Sequence, residues 1–400
     1  MIRPAALGAL TLALACGGDD DSAFQRYEPE PGTPERVAWE AGITGDLGAW
    51  EPTETTVRDA ETTYTFDPAD GPVCMRGAPF AMGVEERAGD ELLIFLQGGG
   101  ACWSDFCLAV TKAQPRIPDG DLLVERDDNP LRDHDVVYVP YCDGSLFAGD
   151  RDVDEDGDGA ADRLHHGLAN LTAALSQGYR HFPNPTRVVL AGSSGGGFGT
   201  LLAASLVRYV YPGVPIDVLD DAGIGIARGA ADPEFVGDLI AEFGASDFIP
   251  ADCTDCTTDG HITGLVDYLL ARDPLLRFGA VSSYYDSIIS ETFLMIDSEA
   301  FAADLRSETD ALHAAYPDRY RRFLYQGRAH TALLGDVTGV VGSDLTAVEL
   351  PPNALETLGG VEIASMYELT SDGVALVDWV GAMTGGGDWV DVAPAAEPLE

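Results

Sequence analysis

The sequence predicts an α/β protein built on one mostly parallel sheet with helices on both faces. Three observations carry this. Apolar runs alternate with amphipathic stretches from Glu91 onward, a glycine-rich turn joins one such run directly to a helix, and no internal repeat or long interior break divides the chain. Strands buried on both faces read as near-continuous apolar runs, whereas half-exposed antiparallel strands alternate.

The elements follow in order. Between Arg36 and Asp90, "TTYTF" and "APFAMGV", broken by Gly and Pro, suit antiparallel strands that open the domain. "ELLIFLQ" (91–97) and "DVVYVPYC" (135–142) are buried strands, "GLANLTAALSQGYRHF" (167–182) a helix and "TRVVLAG" (186–192) a strand. "GFGTLLAASLVRYVY" (197–211) is helical, "PIDVLD" (215–220) a strand, "HITGLVDYLLARDP" (261–274) a helix and "RFGAVSSYY" (277–285) a strand. A long helix over 298–316, a strand "RYRRFLYQ" (319–326) and a last helix over 374–383 complete the pattern.

Composition narrows the function classes. A net charge of −44, from 67 acids and 23 bases of which Lys112 is the only lysine, repels phosphate backbones and argues against nucleic-acid binding. The start, "MIRPAALGALTLALACGGDDD", has one Arg, an apolar run too short to span a bilayer, and small residues before Cys16. "LALAC" resembles a bacterial lipoprotein signal in which Cys16 is lipidated and becomes the new N-terminus. The expected division is therefore a signal peptide over 1–15, an acidic Gly/Pro-rich tether over 16–36 and a single catalytic domain over 37–400. The protein is expected to be exported and anchored to the cell envelope by lipid alone, with plain secretion as the alternative.

Setting Cys16 apart from the seven cysteines leaves Cys74, Cys102, Cys107, Cys142, Cys253 and Cys256. An even remainder in an exported chain points to disulfides. Cys253 and Cys256 suit a short bridge, since no second Cys/His pair stands at a zinc-like spacing. Spacing alone leaves the rest undetermined; 102/107 and 74/142 are the pairings adopted.

In open parallel sheets chemistry gathers at the carboxyl ends of strands. After the strand over 186–192 stands Gly192-Ser193-Ser194-Gly195-Gly196, a G-x-S-x-G string between strand and helix. Small neighbours let strand and helix pass closely while the serine hydroxyl stays exposed, which makes Ser194 the candidate nucleophile. A phosphate loop is disfavoured because no G-K-[ST] follows. Serine needs a base, and the base needs a carboxylate to set its tautomer. In α/β-hydrolase order both lie downstream, where only His261, His313 and His330 stand. His330 follows a strand on a loop and is the best base; the other two sit at or within helices. Asp221 and Asp286 both end strands, so position in the sheet does not separate them, although the later strand is the more usual place for the acid. The oxyanion needs N–H donors. One is Gly195, after the nucleophile, and others come from the Gly98-Gly99-Gly100 loop in "LIFLQGGGACW".

These residues together resemble the pectin acetylesterases and the related Notum carboxylesterases. "LIFLQGGGACWSDFCL" is similar to that family's E-G-G-G-W-C segment, "NPLRDHDVVYVPYCDGSLFAGD" to its Y-C-D-G block, "GSSGGGFGT" to G-C-S-A-G-G, "LDDAG" to S-D-A-G, and "YYDSI" to Y-D-x-W-Q. The resemblance implies Ser194 as nucleophile, Asp286 as acid, His330 as base, and Gly99, Gly100 and Gly195 as oxyanion donors. It departs at Gln97, Ala101, Ser193, Ile288 and Ile289, where the family has an acid, Trp, Cys, Trp and Gln. Substrate-contacting positions thus differ, while the reaction class is expected to hold.

An acidic insertion over 150–163 carries Asp152, Asp154, Asp156, Asp158 and Asp162, with Gly157 for a tight turn. The D-x-D-x-D-G start is that of calcium loops, although Arg163 stands where their bidentate Glu belongs. A structural calcium ion is expected there, with a solvated acidic loop as the alternative; no cofactor is expected for catalysis. The expected function is hydrolysis of O-acyl esters, foremost O-acetyl, on a small molecule or polysaccharide. A long-acyl esterase or a non-catalytic surface binding protein on the same scaffold are the alternatives.

Overall fold

The computed structural model describes residues 23–257, 259–336, 340–350 and 361–399. The expected signal peptide and Cys16 lie outside the described residues. Strands β1 (Glu54–Arg58), β2 (Glu61–Thr65) and β3 (Ala81–Glu85) are antiparallel to their neighbours, as the alternating sequence requires. They lead into a parallel array of β4 (Leu92–Leu96), β7 (Asp135–Val139), β10 (Val188–Ser193), β11 (Ile216–Asp221), β12 (Leu276–Ser283) and β13 (Tyr320–Tyr325). The order across the nine-stranded sheet is β1-β2-β3-β7-β4-β10-β11-β12-β13. A hairpin of β5 (Gly100–Trp103) and β6 (Phe106–Val110), and another of β8 (Arg151–Val153) and β9 (Arg163–His165), stand apart from it.

The fold is a mixed α/β architecture with a large, mostly parallel sheet. Alternate residues of each central strand feed two different cores. Leu92, Ile94 and Leu96 join one that is covered by helices α2 (Gly167–His181), α3 (Gly195–Val210), α4 (Phe235–Phe243), α5 (Thr263–Arg272) and α6 (Ser298–Ala315). Leu93 and Phe95 join the other, where α7 (Leu376–Gly385) contributes Leu376, Trp379, Val380 and Met383. The second face is otherwise covered by loop residues such as Leu122, Leu131 and Leu333, so the expected helices on both faces are unequally shared.

Several expectations are corrected. The 135–142 strand ends at Val139, because Pro140 has no N–H for the ladder. The last helix starts at Leu376 and not at 374, since Val374 and Ala375 pair with Ser371 and Thr370. Helix α4 and the β5–β6 hairpin were not expected. The tether over 16–36 does not extend to its far end. Phe24 is buried and edge-on to Tyr179, and Tyr27 stacks on Tyr209 with ring centroids 4.8 Å apart, so apolar burial docks this part and α1 (Arg36–Glu40) on the domain. The three expected disulfides are present: Cys74–Cys142, Cys102–Cys107 and Cys253–Cys256.

At the amino ends of the central strands, away from the site below, the fully buried Asp217 on β11 sits between two arginines. Arg277 is its cross-strand partner and makes bonds of 2.7 Å to both oxygens, while Arg187 Nη1 lies 2.9 Å from Oδ2. Removing one member of a buried charge set leaves the others unpaired, at a cost of about 3–5 kcal/mol. Asp217→Ala is expected to lower the free energy of urea unfolding by that order while leaving KM for any ester unchanged; an unchanged value would show that the arginines find water instead.

Candidate active site

Ser194 stands between the end of β10 and the start of α3 with φ 58° and ψ −122°. A non-glycine residue holds such a backbone only where its surroundings over-determine it. Here the surroundings are backbone. A Cβ on Gly192 would come within 2.2 Å of Gly196 O, and one on Gly196 within 2.0 Å of Leu96 O. Strand, helix and the neighbouring β4 can approach this closely only because those positions are bare. The turn places Ser194 at the amino end of a 16-residue helix, where backbone N–H groups and the helix dipole favour negative charge.

His330 follows β13 and Asp286 follows β12. His330 Nε2 lies 2.8 Å from Ser194 Oγ, and Nδ1 lies 2.9 Å from Asp286 Oδ2. Asp286 is fully buried and its Oδ1 accepts the N–H groups of Ile288 and Ile289 at 3.0 and 2.9 Å. Held by backbone at Oδ1, the carboxylate faces the imidazole with both oxygens, Oδ1 lying 3.1 Å from Nδ1, and favours the tautomer with hydrogen on Nδ1. That leaves Nε2 as the acceptor opposite the serine hydroxyl. The other two candidate histidines are engaged elsewhere: His261 Nδ1 accepts the Ala227 N–H, and His313 Nδ1 lies 2.9 Å from Tyr320 O.

Asp221, the competing acid, does not bond the imidazole. Its carboxylate takes the Ser193 hydroxyl at 2.7 Å and the N–H groups of Ala332 and Leu333. Burial pushes it up to about 6, against the pull of those bonds and of His330. The carboxylate of its neighbour Asp220 accepts the Gly223 N–H, and burial pushes it up to about 8.

The three expected donor glycines lie together. A Cβ built on Gly195 would meet Gly100 O at 2.8 Å, Gly100 N at 3.4 Å and Gly99 N at 3.6 Å. Gly99 rests on the ring of Tyr141, whose N–H is taken by Gln97 Oε1 at 3.1 Å. The Y-C-D-G block is thus a support for this loop. Asp143 Oδ2 gathers the Ser145 hydroxyl and N–H and the Phe147 N–H, which holds Leu146 and Phe147 at positive φ.

Beside Ser194 opens an apolar pocket of about 840 Å3, counting the part open to solvent. Trp103, Leu146, Phe198, Phe235, Leu239 and Phe293 are among its walls. Helix α4, the β5–β6 hairpin closed by Cys102–Cys107, and a π-helical turn over Ile288–Leu294 meet Phe198 of α3 and Leu146 of the loop after β7 to form these walls. Sequence reading missed this wall; the amphipathic "FVGDLIAEF" of α4 is the one signal that was available. Of the five expected calcium ligands, Asp154, Asp156 and Asp162 bring one oxygen each within 4.8 Å of one another. Asp152 turns away to His166 Nε2 at 2.8 Å, and Asp158 accepts the Ala160 N–H, so the five do not converge.

The pectinacetylesterase family model matches residues 54–234, which bears out the family resemblance over that span. The match supports a carboxylic ester hydrolase at the general level. It includes Ser194 and both glycine-rich loops, while Asp286 and His330 lie beyond it. No curated protein matches the chain.

The buried acids give a pH prediction. The unfolded chain loses the Asp220 proton near 3.8, whereas the folded protein keeps it to about 8. The folded state therefore binds the extra proton between those values, and stability falls as pH rises through them. Asp220→Asn is expected to flatten the loss of stability between about pH 5 and 8, read from urea midpoints. Parallel curves for the two proteins would contradict it.

Proposed function

We propose that the chain is an exported serine carboxylesterase of α/β-hydrolase type, acting through Ser194, His330 and Asp286. The observation that carries this reading is the continuous contact from Asp286 through His330 to the Ser194 hydroxyl. Ser194 Oγ attacks the ester carbonyl as His330 Nε2 takes its proton, and Asp286 holds the imidazolium in place. The N–H groups of Gly195 and of the Gly99–Gly100 loop, with the α3 amino end, stabilise the oxyanion. Collapse of the tetrahedral intermediate expels the alcohol, which takes the proton from His330. Water, deprotonated by the same imidazole, then hydrolyses the acyl-enzyme and frees Ser194.

This chemistry calls on no cofactor. A calcium ion at the acidic turn would be structural, held by Asp154, Asp156 and Asp162. A melting temperature that rises with calcium and falls back with chelator is its signature. Export and lipid attachment through Cys16 are supported by the leader alone; among the described residues no helix is long and apolar enough to cross a membrane.

Acetyl esters of small molecules or polysaccharides are the first reading of substrate. The pocket supports a second, in which the acyl part is longer than acetyl: its walls are aromatic and aliphatic, and an acetyl group leaves most of that surface uncovered. Each buried methylene contributes about 0.8 kcal/mol, which is roughly a fourfold rise in kcat/KM per CH2 where the gain is kept in the transition state.

Nitrophenyl esters from acetyl to decanoyl test both statements. Ser194→Ala is expected to lose more than about 10³-fold in kcat at unchanged folding, and equal rates from folded samples would end the esterase reading. A kcat/KM that climbs along the series supports the longer acyl chain. One that is highest at acetyl returns the substrate to acetyl esters.

A further inference from the structure

We infer that Asp221 is a positioning residue: one carboxylate ties the serine elbow to the histidine loop and so sets the approach of His330 Nε2 to Ser194 Oγ. The inference rests on the serine esterase reading and adds to it a residue outside the triad.

The bonds run in both directions from the end of β11. On the elbow side, Ser193 is the register partner of Asp221; its hydroxyl donates to Oδ2 at 2.7 Å, and the Ser194 N–H donates to the Asp221 carbonyl at 2.8 Å. On the histidine side, the Ala332 N–H reaches Oδ1 and Oδ2 at 3.0 and 3.1 Å, and the Leu333 N–H reaches Oδ2 at 3.1 Å. Between His330 and these donors stands Thr331, fully buried with φ 68°. A β-branched residue holds that backbone only under constraint. The two N–H bonds to Asp221 supply it together with the Ala364 N–H on the Thr331 carbonyl and the His330 N–H on Glu362 O, and with it the direction in which the chain presents His330. Ser283 Oγ, bonded to Ala329 O at 2.7 Å, holds the other side of the same loop to β12.

The arrangement needs the ionised carboxylate, because only that form accepts at every site; a neutral acid or an amide turns one side into a donor. The groups that face it are Asp220 beside it on β11, His330 on the loop, and Tyr325 on β13, whose phenol is pushed up by burial and by both Asp221 and Asp286. Protonation of Asp221 in acid therefore slackens the His330 loop. Asp221 gives kcat an acid limb of its own.

The test uses the full chain, short nitrophenyl esters and a pH series from 5 to 9. Asp221→Asn is expected to lower kcat by about a hundredfold, the order that a small misplacement costs, with KM changed less than about threefold. Ser193→Ala removes one bond that favours the ionised form, so it is expected to move the acid limb of kcat to higher pH while the protein stays folded and active. A folded Asp221→Asn protein with kcat within threefold of wild type overturns the inference, even if its melting temperature falls. If Asp221→Asn does not fold, an unmoved acid limb in Ser193→Ala overturns it alone. Ser194→Ala runs beside both: activity surviving there defeats the esterase reading, whereas its loss together with a fully active Asp221→Asn protein defeats only the role of Asp221.

Discussion

A parallel ladder sends every strand's carboxyl end to the same edge, and the rest of this molecule is arranged around that constraint. Six strands, β7, β4, β10, β11, β12 and β13, run side by side in parallel. Each one is followed within five residues by one that matters: Tyr141 after β7, Gly99 after β4, Ser194 after β10, Asp286 after β12 and His330 after β13, while Asp221 closes β11. Strands placed about 4.8 Å apart then bring into contact groups that are far separated in sequence. Ser194 and His330 are 136 residues apart and share a hydrogen bond.

The same edge shows how an acidic protein keeps acids inside. The chain has 67 carboxylates and 23 cations, so arginine partners are scarce. Asp217 takes two of them at the opposite end of the sheet. At the site edge, Asp143, Asp220, Asp221 and Asp286 instead gather backbone N–H groups and serine hydroxyls, with the His330 ring added at Asp286. Strand ends and helix starts leave unpaired N–H groups there, and a buried carboxylate is the acceptor that collects several at once. Burial still raises Asp143, Asp220 and Asp221. The ionised form of Asp221 is kept by bonds that also fix the two loops on which the proposed reaction depends.

Much of this was legible in the chain. The parallel strands appear within a few residues of their expected places because a strand buried on both faces is mostly apolar, and the 92–96 and 188–191 runs are. The elbow was legible because a close backbone crossing admits only glycine, and the spacing of Gly192 and Gly196 around Ser194 records that crossing. The pocket was not. Trp103, Phe198, Phe235 and Phe293 come from four separate elements, and none carries a local pattern that distinguishes a wall of a pocket from a wall of the core. The docked segment that begins at Phe24 was misread for a related reason: its polar, proline-rich composition hides that Phe24 and Tyr27 find aromatic partners on α2 and α3.

By itself, then, the sequence determined the sheet, the elbow at Ser194, the glycines opposite it and the six cysteines that pair. These depend on short-range patterns: apolar periodicity, bare backbone at a crossing and an even thiol count. Strand position left Asp221 and Asp286 open and the resemblance implied Asp286; the tertiary structure sets the Asp286 carboxylate, and not that of Asp221, against the His330 ring. Both end neighbouring strands, and the choice depends on which carboxylate faces the His330 ring and which faces the N–H groups of the residues after it. That distinction is a matter of a few ångströms across strands that are remote along the chain, and no local pattern encodes it.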